Sequence, residues 1–237
     1  MSIAENLKGV QQDLPEGVRL VAVSKFHPVE ALNEAYAAGQ RVFGESRVQE
    51  MCAKQEVMPA DVEWHFIGHL QTNKIKYMLP FVSLIHGIDS YRLLEEVNKQ
   101  AARAGRVINC LLQLYIAQEE TKFGFSPEEC RSMLAAGEWR NLTNVRVCGL
   151  MGMASNTDNG EQISREFRSL HGFFNEVKAE FFAECPEFKE LSMGMSHDYR
   201  LAVAEGSTLV RVGSRIFGER VYWPIGNQQQ MTESIYN

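Results

Sequence analysis

A lysine closes the first apolar run of the chain. The run 20–24 (LVAVS) leads directly into Lys25, and Pro28 follows shortly after it. Apolar surroundings disfavour the ammonium form of a lysine and leave a nucleophilic amine, which is the group that forms Schiff bases with aldehydes. A lysine at a strand end also marks, in many chains, the point at which the backbone reaches solvent. Spacing alone leaves both interpretations of Lys25 open.

Two glycine-serine turns later in the chain indicate an anion site. Ser196 ends the segment 194–196 (GMS), and Gly213 is followed at once by Ser214. Glycine lets a backbone approach a ligand closely, and backbone amides together with a serine hydroxyl bind phosphate. Ser196 by itself fits equally well as the cap of a helix that starts near Asp198, because capping uses the same geometry. The second turn favours the phosphate interpretation.

Arg211 lies inside the apolar segment 209–213 (LVRVG). An arginine in a covered strand needs a partner, because an unpaired buried charge is strongly destabilising. An acid such as Glu205 would supply a structural partner. The glycine-serine turn that follows directly favours a ligand instead.

Two other motifs fail on geometry. His65 and His69 have the spacing of a helical metal pair, but on a strand four residues span about 13 Å, which is too far for one ion. The run Ser196-His197-Asp198 contains the residue types of a catalytic triad, yet adjacent side chains point apart. The chain contains no G-x-G-x-x-G or Walker sequence, which argues against a nucleotide or nicotinamide site.

Composition bounds the class of protein. The 237 residues are 45% hydrophobic and 23% charged, with a net charge of −6, which fits a globular chain with one sizeable core and disfavours nucleic acid as a partner. The five cysteines are scattered without a C-x-x-C pair, so we expect neither disulfides nor zinc and a cytoplasmic location. We also expect no membrane span, because no segment approaches about 18 uninterrupted apolar residues.

Short apolar runs alternate with longer amphipathic segments along the chain, which predicts strands that are each followed by a covering helix. Several runs are apolar on both faces, as parallel strands covered on both sides are. An open doubly wound sheet satisfies this pattern too, but eight strands match a barrel. We therefore predict an α/β fold, a single (β/α)8 TIM-type barrel domain over residues 1–225, with a polar tail at 226–237. The predicted strands are 19–24, 41–44, 64–68, 84–88, 107–114, 147–151, 190–194 and 209–213.

Helical segments are predicted between these strands, notably over 29–38, 91–104 and 162–182. Glycine is expected to stop helices, and proline is tolerated in a first helical turn. The predicted stops are Gly39, Gly105, Gly137 and Gly206, and the prolines at helix starts are Pro28 and Pro127.

An ordered set of segments resembles the pyridoxal phosphate homeostasis protein family, single-domain barrels related to the barrel of alanine racemase. The resemblance covers nearly the whole chain, and the set is specific as a whole although no one segment is decisive. The segments are VAVSK (21–25), FGE (43–45), RVQE (47–50), WHFIG (64–68), LQ (70–71), NK (73–74), GLM (149–151), SMGMS (192–196), RVG (211–213) and IFG (216–218).

The resemblance implies a site for pyridoxal 5'-phosphate (PLP). It implies an aldimine between Lys25 and the cofactor, with Ser196, Gly213 and Ser214 around the phosphate and Arg211 facing the pyridine nitrogen. Because a guanidinium only donates hydrogen bonds, the ring nitrogen would stay unprotonated and the ring would be a weakened electron sink. The family commonly has asparagine where this chain has Ser46, so we leave that position out of the site.

The resemblance also implies a function: reversible covalent storage or delivery of PLP in vitamin B6 homeostasis and amino-acid balance, without catalytic turnover. Related racemases take a second base from a separate β domain, for which we expect no room here. We expect a monomer whose partners are the cofactor and PLP-dependent apoenzymes as recipients. One alternative is a PLP-dependent amino-acid racemase that uses Lys25. The other is a cofactor-free Schiff-base aldolase that acts on a phosphorylated substrate.

Overall fold

The computed structural model describes residues 2–117 and 123–219, and within them eight parallel strands close into a barrel in chain order. All eight predicted strands are confirmed, each with its ends within two residues of the prediction. Strand β8 pairs with β1, so the sheet has no free edge. The strands are β1 Arg19–Val23, β2 Val42–Glu45, β3 Glu63–Phe66, β4 Val82–Ile88, β5 Ile108–Tyr115, β6 Val145–Met153, β7 Glu190–Ser192 and β8 Leu209–Val212.

Helices connect the strands and cover the outside of the barrel. The three predicted helices are confirmed, and all four glycines predicted as stops have positive φ. Pro127 starts its helix as predicted, whereas Pro28 lies one residue before its helix as the N-cap. The helices are α1 Ile3–Gln12, α2 Val29–Ala37, α3 Val48–Gln55, α4 Ile75–Met78, α5 Tyr91–Arg103, α6 Pro127–Ala136, α7 Gly160–Phe181, α8 Tyr199–Ala204 and α9 Ser214–Phe217.

The inside of the barrel changes from apolar to polar along the strand direction. One buried cluster fills the apolar part and consists of Val21, Leu84, Leu111, Cys148, Met151 and Leu209. Alternate residues of a strand face the same side. The residues two positions after Leu84, Leu111 and Leu209 therefore face the same interior. They are the buried polar residues His86, Gln113 and Arg211. The polar layer lies toward the carboxyl ends of the strands, where barrels of this type bind ligands.

The second, larger core lies between the strands and the helices. Aromatic side chains fill much of it, and the rings of Phe182 and Phe188 stack with centroids 4.0 Å apart. The amino-terminal helix α1 completes this layer, since Asn6 donates to the carbonyl of Ile216 in α9. No helix in the described ranges is long and apolar enough to cross a membrane.

The barrel accounts for the described chain from α1 to α9, which agrees with the predicted architecture. The polar tail predicted at 226–237 lies outside the described residues. The limits of the domain therefore stay a prediction.

Candidate functional site

The register between β1 and β8 brings Lys25 beside the second glycine-serine turn. Ala22 is paired with Val212, so the residues after the two strands leave the barrel side by side. Gly213 lies close against the neighbouring backbone, because a Cβ atom there would come within 3.0 Å of the Val23 carbonyl oxygen. Lys25 is half-buried at this mouth.

Ser196 joins the two glycine-serine turns. Its Oγ accepts a hydrogen bond from the Gly213 amide at 3.0 Å. The capping alternative is wrong, because α8 starts at Tyr199 with Asp198 as its N-cap. Asp198 accepts the Met195 amide at 2.5 Å, while Ser196 faces the β8 turn. The structure thus brings Ser196, Gly213 and Ser214 together at the carboxyl ends of β7 and β8.

The guanidinium of Arg211 lies inside the barrel, and the residue is only 4% exposed. It donates to Ser192 Oγ at 2.5 Å and to the Gly152 carbonyl at 3.2 Å. Glu205 is not its partner, since that carboxylate binds Arg168 at 2.7 Å. Burial lowers the pKa of Arg211 to about 10, against the opposing effect of Asp198, so the group stays charged at neutral pH.

Two buried histidines extend the hydrogen bonds of Arg211 across the barrel. His86 Nδ1 is 2.9 Å from Ser192 Oγ, and His86 Nε2 is 3.0 Å from His65 Nδ1. Burial lowers the pKa of His65 to about 3, and burial with the nearby His65 and Arg211 holds the pKa of His86 well below its usual range. Both rings are therefore neutral at physiological pH.

Sequence reasoning missed this histidine chain. Its detectable signal was a polar residue directly after a run of apolar residues within a strand, as at His86 after Leu84 and Ile85 in β4. His65 and His69, whose spacing resembles that of a helical metal pair, lie in different surroundings. His65 is buried, whereas His69 is exposed and lies 3.1 Å from Asp89. His197 contacts Asp198 at 3.2 Å, and neither shares a bond with Ser196 Oγ among the described contacts.

A second buried cluster, also missed from sequence, lies behind the turn that carries Lys25. Lys54 Nζ lies 2.7 Å from both Glu45 Oε1 and Glu50 Oε1 and 2.8 Å from the Ser24 carbonyl oxygen. Burial raises the pKa of Glu45 to about 7, a change that Lys54 opposes and Glu50 reinforces. Glu45 Oε2 is buried and has no hydrogen-bond partner in the part of the chain that the structure describes. We call Glu45, Glu50 and Lys54 the clamp cluster.

Ser46, the position left out of the site, follows β2 at the same end of the barrel. It packs against Gly68, where an added Cβ would clash with the Ser46 backbone. The structure thus places Ser46 near the mouth without assigning it a ligand contact.

The mouth combines three chemical abilities. A half-buried lysine can attack a carbonyl carbon, the two serine-containing turns can bind an anion, and a permanently charged guanidinium can donate to an acceptor atom. Together they suit a small, phosphorylated carbonyl compound.

Comparison with known proteins shows which family the chain is related to over most of its length. Residues 1–221 match the family model described as "Alanine racemase, N-terminal domain". A pyridoxal phosphate homeostasis protein of Aquifex aeolicus is 41% identical over 206 residues, which are 86% of this chain and 88% of that protein.

Solved structures agree with this relationship. PipY of Synechococcus elongatus PCC7942, solved with PLP bound, is 39% identical with a TM-score of 0.82, covering 92% of this chain and 100% of that one. An alanine racemase of Streptomyces coelicolor A3(2) shares the fold, with 19% identity and a TM-score of 0.72 over 90% of this chain and 57% of its own. The chain belongs to the pyridoxal phosphate homeostasis protein family and has the alanine racemase type of barrel.

Proposed function

We propose that this chain binds PLP covalently through Lys25 and serves to store or deliver it within PLP homeostasis. The observation that carries the proposal is the convergence of Lys25, the Ser196 turn and the Gly213-Ser214 turn at adjoining strand ends, above the buried Arg211. PipY, a relative that covers nearly all of this chain, has been solved with PLP bound.

The residues present fit this cofactor. Ser196, Gly213 and Ser214 would hold the phosphate, and Arg211 would donate to the pyridine nitrogen. Both hydrogen bonds of the Arg211 guanidinium in the described part of the chain go to neutral oxygens, and neither goes to a carboxylate. Bound PLP supplies an aldehyde, whose carbon forms a C=N bond with a lysine amine while its oxygen leaves as water.

We propose further that the protein does not catalyse turnover. Arg211 remains a cation near neutrality and has no lone pair with which to accept a hydrogen bond, so it would pair with a ring nitrogen that is unprotonated. A pyridine ring in that state withdraws electrons weakly, which disfavours carbanion chemistry. The homeostasis name of the relatives, rather than an enzyme name, supports the same view.

Borohydride reduction followed by peptide mass spectrometry tests the covalent site. Purified protein incubated with PLP should turn yellow and, after reduction, carry one phosphopyridoxyl group on Lys25. Lys25→Ala should lose that group, whereas Lys189→Ala, an exposed lysine directly before β7 at the opposite end of the barrel, should keep it. A protein that stays colourless and unmodified would reject the cofactor and leave the cofactor-free aldolase as the better hypothesis.

Exchange of the α-proton of amino acids tests the absence of turnover. A panel of L-amino acids in deuterated water should exchange no faster with the loaded protein than with free PLP. Exchange that is faster, and that Lys25→Ala abolishes, would establish the racemase alternative instead.

We also propose a cytoplasmic monomer that passes PLP to PLP-dependent apoenzymes. Loaded protein mixed with an apoenzyme should restore its activity, and sedimentation should give the mass of one chain. Failure of transfer to every apoenzyme tried would limit the role to storage, and a larger sedimenting mass would reject the monomer.

A further inference from the structure

The turn that carries Lys25 has a strained backbone. His27 donates its amide to the Ser24 carbonyl at 3.1 Å, which closes a four-residue turn around Lys25 and Phe26. Phe26 has φ of 67°, the one positive φ at a non-glycine residue in the described ranges. The third position of such a turn normally takes glycine when φ is positive. A phenylalanine persists in this conformation only where its surroundings hold it.

The clamp cluster binds this turn on both sides of Lys25. Glu50 Oε1 accepts the Phe26 amide at 2.6 Å, directly at the strained residue. Lys54 Nζ donates to the Ser24 carbonyl, the last peptide group before Lys25. The Ser24 hydroxyl donates in turn to Glu45 Oε1 at 2.6 Å.

Lys54 organises the two carboxylates. Its side chain is 6% exposed, and its three ammonium hydrogens match the three oxygens around it: the Ser24 carbonyl and one oxygen each of Glu45 and Glu50. Glu45 ends β2 and the other two residues belong to α3, so the support comes from the neighbouring β/α unit and not from β1 itself.

We propose that Glu50 and Lys54 are positioning residues for Lys25. Glu50 accepts the Phe26 amide and thereby holds Phe26 in the left-handed conformation. Lys54 holds the Glu50 carboxylate in place through their contact in α3. Without them the turn relaxes toward negative φ, and Lys25 leaves the position in which it meets the cofactor. This proposal rests on the proposed role of Lys25 as the covalent anchor.

Amide hydrogen exchange at Phe26 in the cofactor-free protein tests the clamp directly. Glu50→Ala removes the acceptor and should speed exchange of the Phe26 amide about tenfold. The free-energy cost of holding one residue in a strained conformation corresponds to about a tenfold change in the population of the turn. Glu50→Gln keeps an acceptor oxygen and should leave exchange close to that of the parent. Glu50→Asp is a milder change that serves as a second test if Glu50→Ala does not fold. Its rate of Phe26 amide exchange should lie between those of Glu50→Ala and Glu50→Gln. Unchanged exchange in both Glu50→Ala and Glu50→Asp would overturn the proposal.

The rate of PLP attachment to Lys25, trapped by borohydride, gives the second readout. Glu50→Ala should attach PLP about tenfold more slowly than the parent, in proportion to the lost population of the turn. Adding Phe26→Gly to that variant should restore the rate, because glycine adopts positive φ without strain. Glu56→Ala, an exposed glutamate just after α3, is the matched control and should behave as the parent.

The pH profile of attachment separates positioning from an electrostatic effect on the amine. Positioning predicts a lower rate at every pH with the same midpoint. A displaced midpoint, or a slow Glu50→Ala variant that Phe26→Gly fails to restore, would overturn the clamp.

The two proposals fail in different ways. If the parent shows no group on Lys25 while Phe26 exchange responds to Glu50→Ala, the PLP function fails and the clamp stands. If Lys25 is labelled and neither exchange nor rate responds, the clamp fails and the PLP function stands.

Discussion

Arg211 fixes the direction of the first hydrogen bond in the buried chain that it begins. A guanidinium only donates, so Ser192 Oγ accepts from Arg211, and we assign the Ser192 hydroxyl proton to His86 Nδ1, the other side chain in contact with that oxygen. His86 therefore carries its proton on Nε2 and donates to His65 Nδ1. One charged side chain thus sets the tautomers of two neutral histidines, and they in turn hold it in place.

Ser192→Ala tests this chain at a single hydroxyl. It leaves one Arg211 N–H and His86 Nδ1 without their partner, and we expect a loss of about 1–3 kcal/mol in the free energy of unfolding. Urea denaturation measures that loss, and ¹⁵N NMR should show a changed His86 ring. Ser207→Ala, at a buried serine whose hydroxyl contacts only backbone carbonyls among its described partners, should leave the His86 signals in place. An unperturbed His86 in Ser192→Ala would contradict the assignment.

The two neutral histidines make the protein sensitive to acid. The pKa of His65 falls from 6.5 to about 3 on folding, so the unfolded chain binds more protons below pH 6.5. The contribution of such a histidine to the free energy of unfolding is fully present above pH 6.5. It is lost as the pH falls toward 3, at about 1.4 kcal/mol per pH unit for each histidine of this kind. His65→Asn should reduce the slope with which the free energy of unfolding falls on acidification by about 1.4 kcal/mol per pH unit. Urea denaturation at a series of pH values measures that slope. An unchanged slope would refute the prediction.

Glu45 has the opposite pH dependence and serves as the control. Its pKa rises from 4.5 to about 7 on folding, so its contribution is present at low pH and is lost as pH rises through 7. Glu45→Gln removes this opposing contribution. The loss of stability between neutral pH and pH 4.5 should therefore become steeper in that variant.

Among the elements, β6 depends on one glycine where it meets two neighbours. The β5–β6 register skips Cys148, because Cys110 pairs with Val147 and Leu111 pairs with Gly149. Gly149 has φ of 153° and also pairs with Glu190 of β7. A Cβ there would lie 1.8 Å from the Glu190 carbonyl oxygen, a distance that no small adjustment relieves.

Gly149→Ala should therefore separate β6 from β7. We expect a loss of about 3 kcal/mol or more in the free energy of unfolding, from backbone strain and overpacking together. Gly9→Ala provides the contrast, since that glycine lies within α1 with open space around it. An alanine there should raise the free energy of unfolding by about 0.5–1 kcal/mol. Thermal and urea unfolding of both variants would check the pair, and equal effects would contradict the packing described.

At the scale of the whole molecule, packing of the barrel and of the helices around it buries most of the thiols. Cys110, Cys130 and Cys148 are buried, Cys52 is half-buried and Cys185 is exposed. Burial raises the pKa of Cys130 to about 12 and that of Cys148 to about 11, so the reactive thiolate is scarce at these positions. Thiol chemistry thereby reports on the integrity of the fold.

A chromogenic thiol reagent should distinguish these classes at neutral pH. Cys185 should react first and Cys52 more slowly, because burial raises the pKa of the Cys52 thiol. The three buried thiols should react only on unfolding, as followed by peptide mass spectrometry over time. Fast native-state labelling of Cys110 would show that the barrel opens more readily than this packing allows.

The sequence by itself determined the eight strands and the identity of the residues that follow them at the mouth. Alternation of apolar runs with amphipathic segments predicts all eight strands, and local turn chemistry predicts the glycines that end the helices. These features depend on neighbours in the chain. Lys25, Ser196, Gly213 and Ser214 were assigned to strand ends for the same local reason, and their role toward the cofactor stays a proposal.

Only the tertiary structure decided which side chains bind each other. Arg211 contacts Gly152 and His86 contacts Ser192, pairs separated by 59 and 106 residues in the chain. The clamp behind Lys25 likewise joins Lys54 to Ser24 across 30 residues. Such contacts depend on strand register and on closure of β8 against β1, and a hydrogen bond is lost when its atoms move by about 1 Å. Local sequence patterns carry no information at that precision.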